Sequence, residues 1–263
     1  MVSTIIKSYV INLDRDFGRM AHIHACFRDA DVDFERVSAV DGRGMSEEEF
    51  KNFFETISQA SGSWLRGQVG CFLSHYAVWT KIALGAENCA AIFEDDIHVA
   101  EFIRDILTND AWLPEDFDII RLETSTNRML LDKYPIRISS DRFLYRVRST
   151  SWCAGAYILS RSCARKLISV PKSCHNKTDY FLFCHEHSSI AKELTVYQFF
   201  PAVATQDQFL TKRDEMRQFP SNINENTKLL GRLVTYFKNA TPYAICKSIY
   251  KSLLGFKRVP FRP

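Results

Sequence analysis

The sequence predicts an α/β fold with a mostly parallel central sheet, and two observations carry that reading. Short runs rich in β-branched and aromatic residues recur along the chain: "TIIKSYVI" at 4–11, "CAAIF" at 89–93, "DIIRL" at 118–122, "FLYRV" at 143–147, "GAYILS" at 155–160 and "LTVYQFF" at 194–200. Each is apolar without alternating with polar residues, the pattern of a strand covered on both faces. Between them lie segments whose apolar residues return at helical spacing, so strands and helices interleave. With 263 residues, 46% of them hydrophobic, the chain can bury a large core, and disorder is excluded for most of its length.

In chain order, strand 4–11 is followed by a helix in which Met20, Ile23, Phe27 and Ala30 share a side. "FERVSAVDGR" is a short strand ending in a turn at Asp41 and Gly42. Ser46 and Glu49 form a capping box ahead of Phe50, Phe53, Phe54 and Ile57. Residues 67–85 read as a helix with Val69, Phe72, Leu73, Tyr76 and Ile82 turned inward. A softer composition from about Asn222 divides the chain into a principal domain, 1–221, and an appendage, 222–263.

The appendage differs in charge. From Lys228 to Pro263 there are eight basic residues and no acid, which leaves 26 basic against 31 acidic residues, a net −5, for the rest of the chain. Two stripes, Leu229, Leu233, Tyr236 and Phe237, then Ile245, Ile249, Leu253 and Phe256, suggest helices able to lie on an anionic membrane surface. Packing of the same stripes on the domain is the other reading. No nucleic-acid module accompanies the charge, so nucleic acid is not expected as a partner. The start "MVSTIIKSYVINLDRD" fits neither a signal peptide nor a spanning helix, which points to the cytoplasm. The eight cysteines are then expected as reduced, mostly buried thiols. Cys153, Cys163, Cys174 and Cys184, with His175, His185 and His187, lack the paired spacing of a zinc site.

The chemistry concentrates in "AAIFEDDIHV", where Glu94, Asp95 and Asp96 follow a strand directly. Adjacent carboxylates repel and need a positive partner. At the carboxyl end of a sheet strand they lie where α/β proteins bind ligands, and a hard divalent cation with a phosphorylated substrate would compensate them. The competing reading is a solvated loop whose acids favour the N-terminus of a following helix.

Five blocks in order, "YVINLDRDFGRM", "RVSAVDGR", "GQVGCFLSHYAVW", "AAIFEDDIHV" and "GAYILSRSCARKLI", resemble glycosyltransferase family 25, whose members build lipopolysaccharide and lipooligosaccharide in Gram-negative bacteria. The resemblance covers roughly residues 4 to 210. It implies a GT-A type nucleotide-sugar-binding fold and a metal-dependent, inverting transfer of a hexose, galactose foremost, from a UDP-sugar to a glycolipid or oligosaccharide acceptor. It implies Asp96, with Glu94, as ligands of Mn²⁺ or Mg²⁺, and Glu94 and Asp95 as contacts to the donor. Asn12, Arg15, Arg19, Ser74 and His75 become donor-site residues, and Asp179 the general base, with Asp207 the weaker choice. Each has an ordinary alternative: surface ion pairs with Asp14 and Asp16 for the arginines, core packing for His75, a helix cap for Asp179. Departures are Gln68 where Glu is usual, Lys177–Thr178 where Pro-Val is usual, and the ending "ATQDQF". With the start of the chain and its basic tail, the expectation is a cytoplasmic enzyme docked peripherally at the inner membrane. A metal-dependent phosphodiesterase and a non-catalytic sugar-nucleotide-binding protein are the rivals.

Overall fold

β1 (Lys7–Asn12) lies between β2 (Glu35–Ser38) and β3 (Cys89–Glu94), parallel to both. The computed structural model describes residues 5–56, 64–125, 127–171, 175–210 and 255–262. Among them an eight-stranded sheet continues from β3 through β10 (Ala156–Ser160), β5 (Ile119–Arg121), β11 (Val196–Phe200) and β9 (Phe143–Arg146) to β8 (Ile136–Arg137). β10 is antiparallel to both its neighbours, and β9 to both of its own. The other six strands therefore point the same way, and the expected mostly parallel α/β sheet is present with two reversed strands.

Side-chain alternation along these strands builds two cores. Tyr9, Ile11, Ala90, Ile92, Tyr157 and Leu159 face α3 (Arg66–Leu84), α5 (Arg161–Ser169), α6 (Thr178–Phe183) and α7 (Ser189–Glu193). Val10, Ala91, Phe93, Ala156 and Ile158 face α1 (Phe17–Asp29) and α4 (Ile103–Leu107). Period-two strands covered on both faces give a three-layer sandwich, which is why the strand sequences are apolar throughout. α3 buries more than one face: besides Val69, Phe72 and Ile82, Val78 and Trp79 are completely buried. At α2 (Glu47–Thr56) the capping box forms as expected, Glu49 N–H donating to Ser46 Oγ at 3.1 Å and Ser46 N–H to Glu49 Oε2 at 2.7 Å.

Short strands unread in the sequence add a second sheet, β4 (Ile97–Val99), β12 (Ala204–Gln206) and β6 (Glu123–Thr124), and a pair, β7 (Arg128–Leu130) with β13 (Phe256–Arg258). β13 bears on the expected helical tail. Phe256, assigned above to a helical stripe, lies in a strand antiparallel to β7. Beyond it Val259 is 3% exposed, and its carbonyl accepts a 2.6 Å hydrogen bond from Thr124 Oγ1. The chain pairs where it was expected to coil because β7 offers an edge and the domain an apolar seat for Val259. The rest of the expected appendage, from 222 to 254, lies outside the described residues. Among the described residues no helix is long and apolar enough to cross a membrane.

Candidate active site

The acids close a cleft at the carboxyl ends of β2, β1 and β3. Its lining includes Leu13, Val40, Asp41, Cys71 and Glu94 to Asp96, and it is open to solvent. β3 ends at Glu94, and Asp95 and Asp96 form the turn into β4. The triplet thus leads into a strand, and the reading of these acids as caps for a helix does not apply.

Each carboxylate has its own surroundings. Asp95 receives Arg19 Nη1 at 2.7 Å and Asn12 Nδ2 at 2.8 Å. Burial pushes its carboxyl up, and the Arg19 charge opposes that. Glu94 faces His75 Nε2 at 3.2 Å through one oxygen and Gln206 Nε2 at 3.0 Å through the other. Its burial also pushes the acid up, yet the bond and charge of His75 and the Arg19 charge outweigh it, leaving Glu94 below the ordinary range. Asp96 has the least support. Arg19 Nη1 stands 3.5 Å from Oδ2, whereas Oδ1 is buried with no hydrogen-bond partner. Burial, then the charge of Glu94, pushes its pKa up to about 7. A buried carboxylate oxygen without a donor, beside two other acids, is the environment a hard cation would relieve.

Arg19 is the positive charge the triplet requires. It is only 6% exposed and is held by Asp16 as well as by Asp95. Arg15 and Arg19, both expected at the donor site, both line the first cleft but in different surroundings. Arg15 is half-exposed at the rim, paired with Asp41, while Arg19 is buried under the acids. Asn12, 2% exposed, is a bracket: its side chain also donates to Asp16 O and accepts from Arg36 Nε.

His75 is oriented from behind. Trp79 Nε1–H donates to Tyr157 Oη at 2.8 Å, Tyr157 Oη is bonded to His75 Nδ1, also at 2.8 Å, and the other ring nitrogen, Nε2, faces Glu94. Ser74 lines the cleft, but its hydroxyl is engaged, donating to Gly70 O and accepting from Val40 N–H. It fastens the loop after β2 to the start of α3. At that joint a Cβ on Gly70 would lie 2.5 Å from Val40 O and 2.6 Å from Gly42 N, so only glycine lets the backbones approach.

A second cleft adjoins the first, and Cys71 and Glu94 line both. Asp179 lines it together with Lys177, Thr178, Gln206 and Gln208. Asp179 sits in the first turn of α6 behind Lys177 at the cap position, and it accepts from Tyr180 N–H at 2.9 Å. Burial, the largest effect, raises its pKa. Asp207 is fully buried and faces His98 Nε2 at 3.0 Å, and it lines neither cleft.

The match to known proteins runs through these same blocks. The model of glycosyltransferase family 25 (LPS biosynthesis protein) aligns with residues 5–182. The chain belongs to glycosyltransferase family 25. It is 27% identical over 223 residues to the lacto-N-neotetraose biosynthesis glycosyltransferase LgtE of Neisseria meningitidis serogroup B, covering 79% of this chain and 78% of that one. It is 26% identical over 269 positions to the lipooligosaccharide biosynthesis protein lic2B of Haemophilus influenzae, covering 97% and 99%. A putative glycosyltransferase of Haemophilus influenzae is 29% identical over 202 residues, covering 76% and 70%.

Several residues that shape the two clefts were not singled out from the sequence. Gln206, in the departing "ATQDQF" block, holds Glu94. Tyr157 and Trp79 orient His75. Arg121, fully buried, donates to the carbonyls of Trp152 and Cys153 at 2.6 and 2.9 Å, fixing the loop beside Asp179. Cys153 itself has a φ of 71°, a left-handed conformation unusual for cysteine and common where a backbone is held for function. The one signal in the sequence was an arginine inside the strand-like run "DIIRL", since a buried charge must have partners. The six described cysteines are free, and Cys89, Cys163 and Cys184 are buried.

Proposed function

We propose that the protein is a metal-dependent, inverting glycosyltransferase of GT-A type that moves a hexose, most simply galactose, from a UDP-sugar to a lipooligosaccharide or lipopolysaccharide acceptor. The observation that carries the reading is the junction of two clefts at Cys71 and Glu94, one closed by the acid triplet and the other lined by Asp179. Family membership supports the reaction class, the acid motif supports a metal-bound sugar diphosphate, and galactose is the hexose the family resemblance implies.

In this reading Asp96 Oδ1, with Glu94 beside it, would hold Mn²⁺ or Mg²⁺. The cation would supply electrostatic stabilisation of the departing diphosphate. Arg19 opposes the upward push of burial on Asp95 and directs its carboxylate, while its second contact reaches Asp96. His75 and Gln206 hold Glu94 between the two clefts. Asp179 takes the proton of the acceptor hydroxyl as its oxygen attacks the anomeric carbon from the face opposite the leaving UDP. One C–O bond forms as the other breaks, and the configuration inverts. The raised pKa of Asp179 brings it closer to the working pH, which suits a general base.

The basic residues between Lys228 and Lys251 support docking on the anionic inner-membrane surface, where the glycolipid acceptor resides. Incubating the protein with UDP-galactose, Mn²⁺ and lipooligosaccharide tests the reading. The expected product is a glycosylated acceptor of inverted anomeric configuration, read by NMR. Release of sugar phosphate without acceptor would favour the phosphodiesterase, and binding without turnover the non-catalytic protein.

A further inference from the structure

Behind the acid turn, on the face of the sheet covered by α1, lies a cluster the proposed transfer does not use. His22 and Cys26, four residues apart on α1, present one side of the helix to His98 on β4. One ligand atom from each of the three lies within 4.8 Å of the others. Cys26 Sγ is 3.7 Å from His22 Nδ1, and the two imidazole rings are 4.5 Å apart between centroids. Two ligands of one tetrahedral zinc, with Zn–S near 2.3 Å and Zn–N near 2.0 Å, stand roughly 3.5 Å apart. Small rotations of the side chains suffice to converge them.

Both rings are held as metal-binding histidines are. His98 Nε2 is bonded to Asp207 Oδ1 at 3.0 Å, the carboxylate–histidine arrangement that turns the opposite nitrogen toward a metal. His22 Nε2 is bonded to the carbonyl of Ile97 at 2.8 Å. Asp207 is in turn anchored through its backbone N–H to Asp96 O at 2.8 Å. We propose that His22, Cys26 and His98 form a binding site for a borderline transition metal, zinc foremost, distinct from the acid triplet. Thiolate and imidazole ligands select zinc over Mn²⁺ or Mg²⁺, which prefer the all-oxygen acid site. Binding deprotonates the Cys26 thiol and releases its proton to solvent. The bound metal ties α1, which carries Arg19, to β4, which begins directly after Asp96. It is a positioning element for the acid turn.

Cobalt titration of the full-length, untagged, reduced and chelator-stripped protein tests this. One equivalent of Co²⁺ should produce a thiolate-to-cobalt charge-transfer band in the near ultraviolet. The band should vanish in Cys26→Ala and His98→Ala and persist in Cys71→Ala, whose thiol belongs to the other His/Cys/Glu group at the clefts. Zn²⁺ should raise the melting temperature of the wild type and leave that of the first two variants unchanged. Should either variant fail to fold, His22→Ala, at a partly exposed helix position, carries the same comparison. Absence of the band in the wild type, its survival in Cys26→Ala, or its loss in Cys71→Ala would overturn the site.

Discussion

At the residue scale, the three carboxylates of one short turn do different work because their neighbours differ. Asp95 is neutralised by Arg19, Glu94 is fastened by His75 and Gln206, and Asp96 keeps one buried oxygen without a partner. Asp96 therefore weakens the metal-free protein. Its folded pKa, about 7, lies above the unfolded value near 4, so its favourable contribution is complete below pH 4 and disappears as pH rises through 7. Asp96→Asn should make the metal-free protein more stable at pH 8 by on the order of 2–4 kcal/mol, with the difference shrinking toward pH 5. Urea denaturation at the two pH values checks this, and a variant less stable at pH 8 would contradict it. Asp179→Asn should leave donor binding near wild type while lowering kcat by about two to four orders of magnitude, the loss expected for a positioned base. Steady-state kinetics reads it, and a kcat within a few-fold of wild type would move the base elsewhere. The triplet and Asp179 were legible in the sequence as motif positions. Arg19 as the buried counter-charge was not, because its partner Asp95 is 76 residues away and helical spacing does not say which arginine turns inward.

At the element scale, β2 and β9 were legible as short strand-like runs, and β1, β3, β5, β10 and β11 because strands buried on both faces have continuous apolar runs. β4, β6, β7, β8, β12 and β13 have two or three residues each, too few for a periodicity to register. The reversal of β10 was equally hidden, since an apolar run carries no direction. Yet β4 decides how the acids are read, for it makes them a strand-to-strand turn. The first cleft depends on a contact between two elements that are remote in sequence, the loop after β2 and the start of α3. Gly70→Ala would place a methyl against the Val40 carbonyl and the Gly42 nitrogen, both backbone atoms that cannot swing aside. The expected cost is about 1–3 kcal/mol, together with weaker UDP-sugar binding as the cleft wall moves. Denaturation and calorimetry on the variant measure both effects, and unchanged affinity would detach this joint from the donor site.

At the scale of the whole molecule, residues 255–262 pack against the principal domain. β13 pairs with β7, Val259 is buried, and Ala202 exchanges backbone hydrogen bonds with Pro260 and Arg262. A chain ending at 254 should lose about 2–4 kcal/mol, from exposure of Val259 and loss of these bonds less the entropy regained. Its melting temperature should fall by several degrees, and an unchanged midpoint would show that the strand adds nothing. This alters how membrane docking has to be examined, since truncation would confound stability with binding. Replacing Lys228, Arg232, Lys238, Lys247 and Lys251 by Glu while keeping 255–262 separates them. Co-sedimentation with anionic vesicles should then fall at an unaltered melting temperature. Retained co-sedimentation would exclude those charges as the docking element.

If the acid turn beneath the first cleft holds a cation against a sugar nucleotide, metal and donor must strengthen each other's binding through Asp96. Calorimetric titration of UDP-galactose with and without Mn²⁺, on the wild type and on Asp96→Ala, reads that coupling. Binding by the wild type should tighten about tenfold or more with Mn²⁺, and the variant should remain folded but gain nothing from the metal. Equal Mn²⁺-dependent affinity in the two proteins would remove the cation from the acid turn.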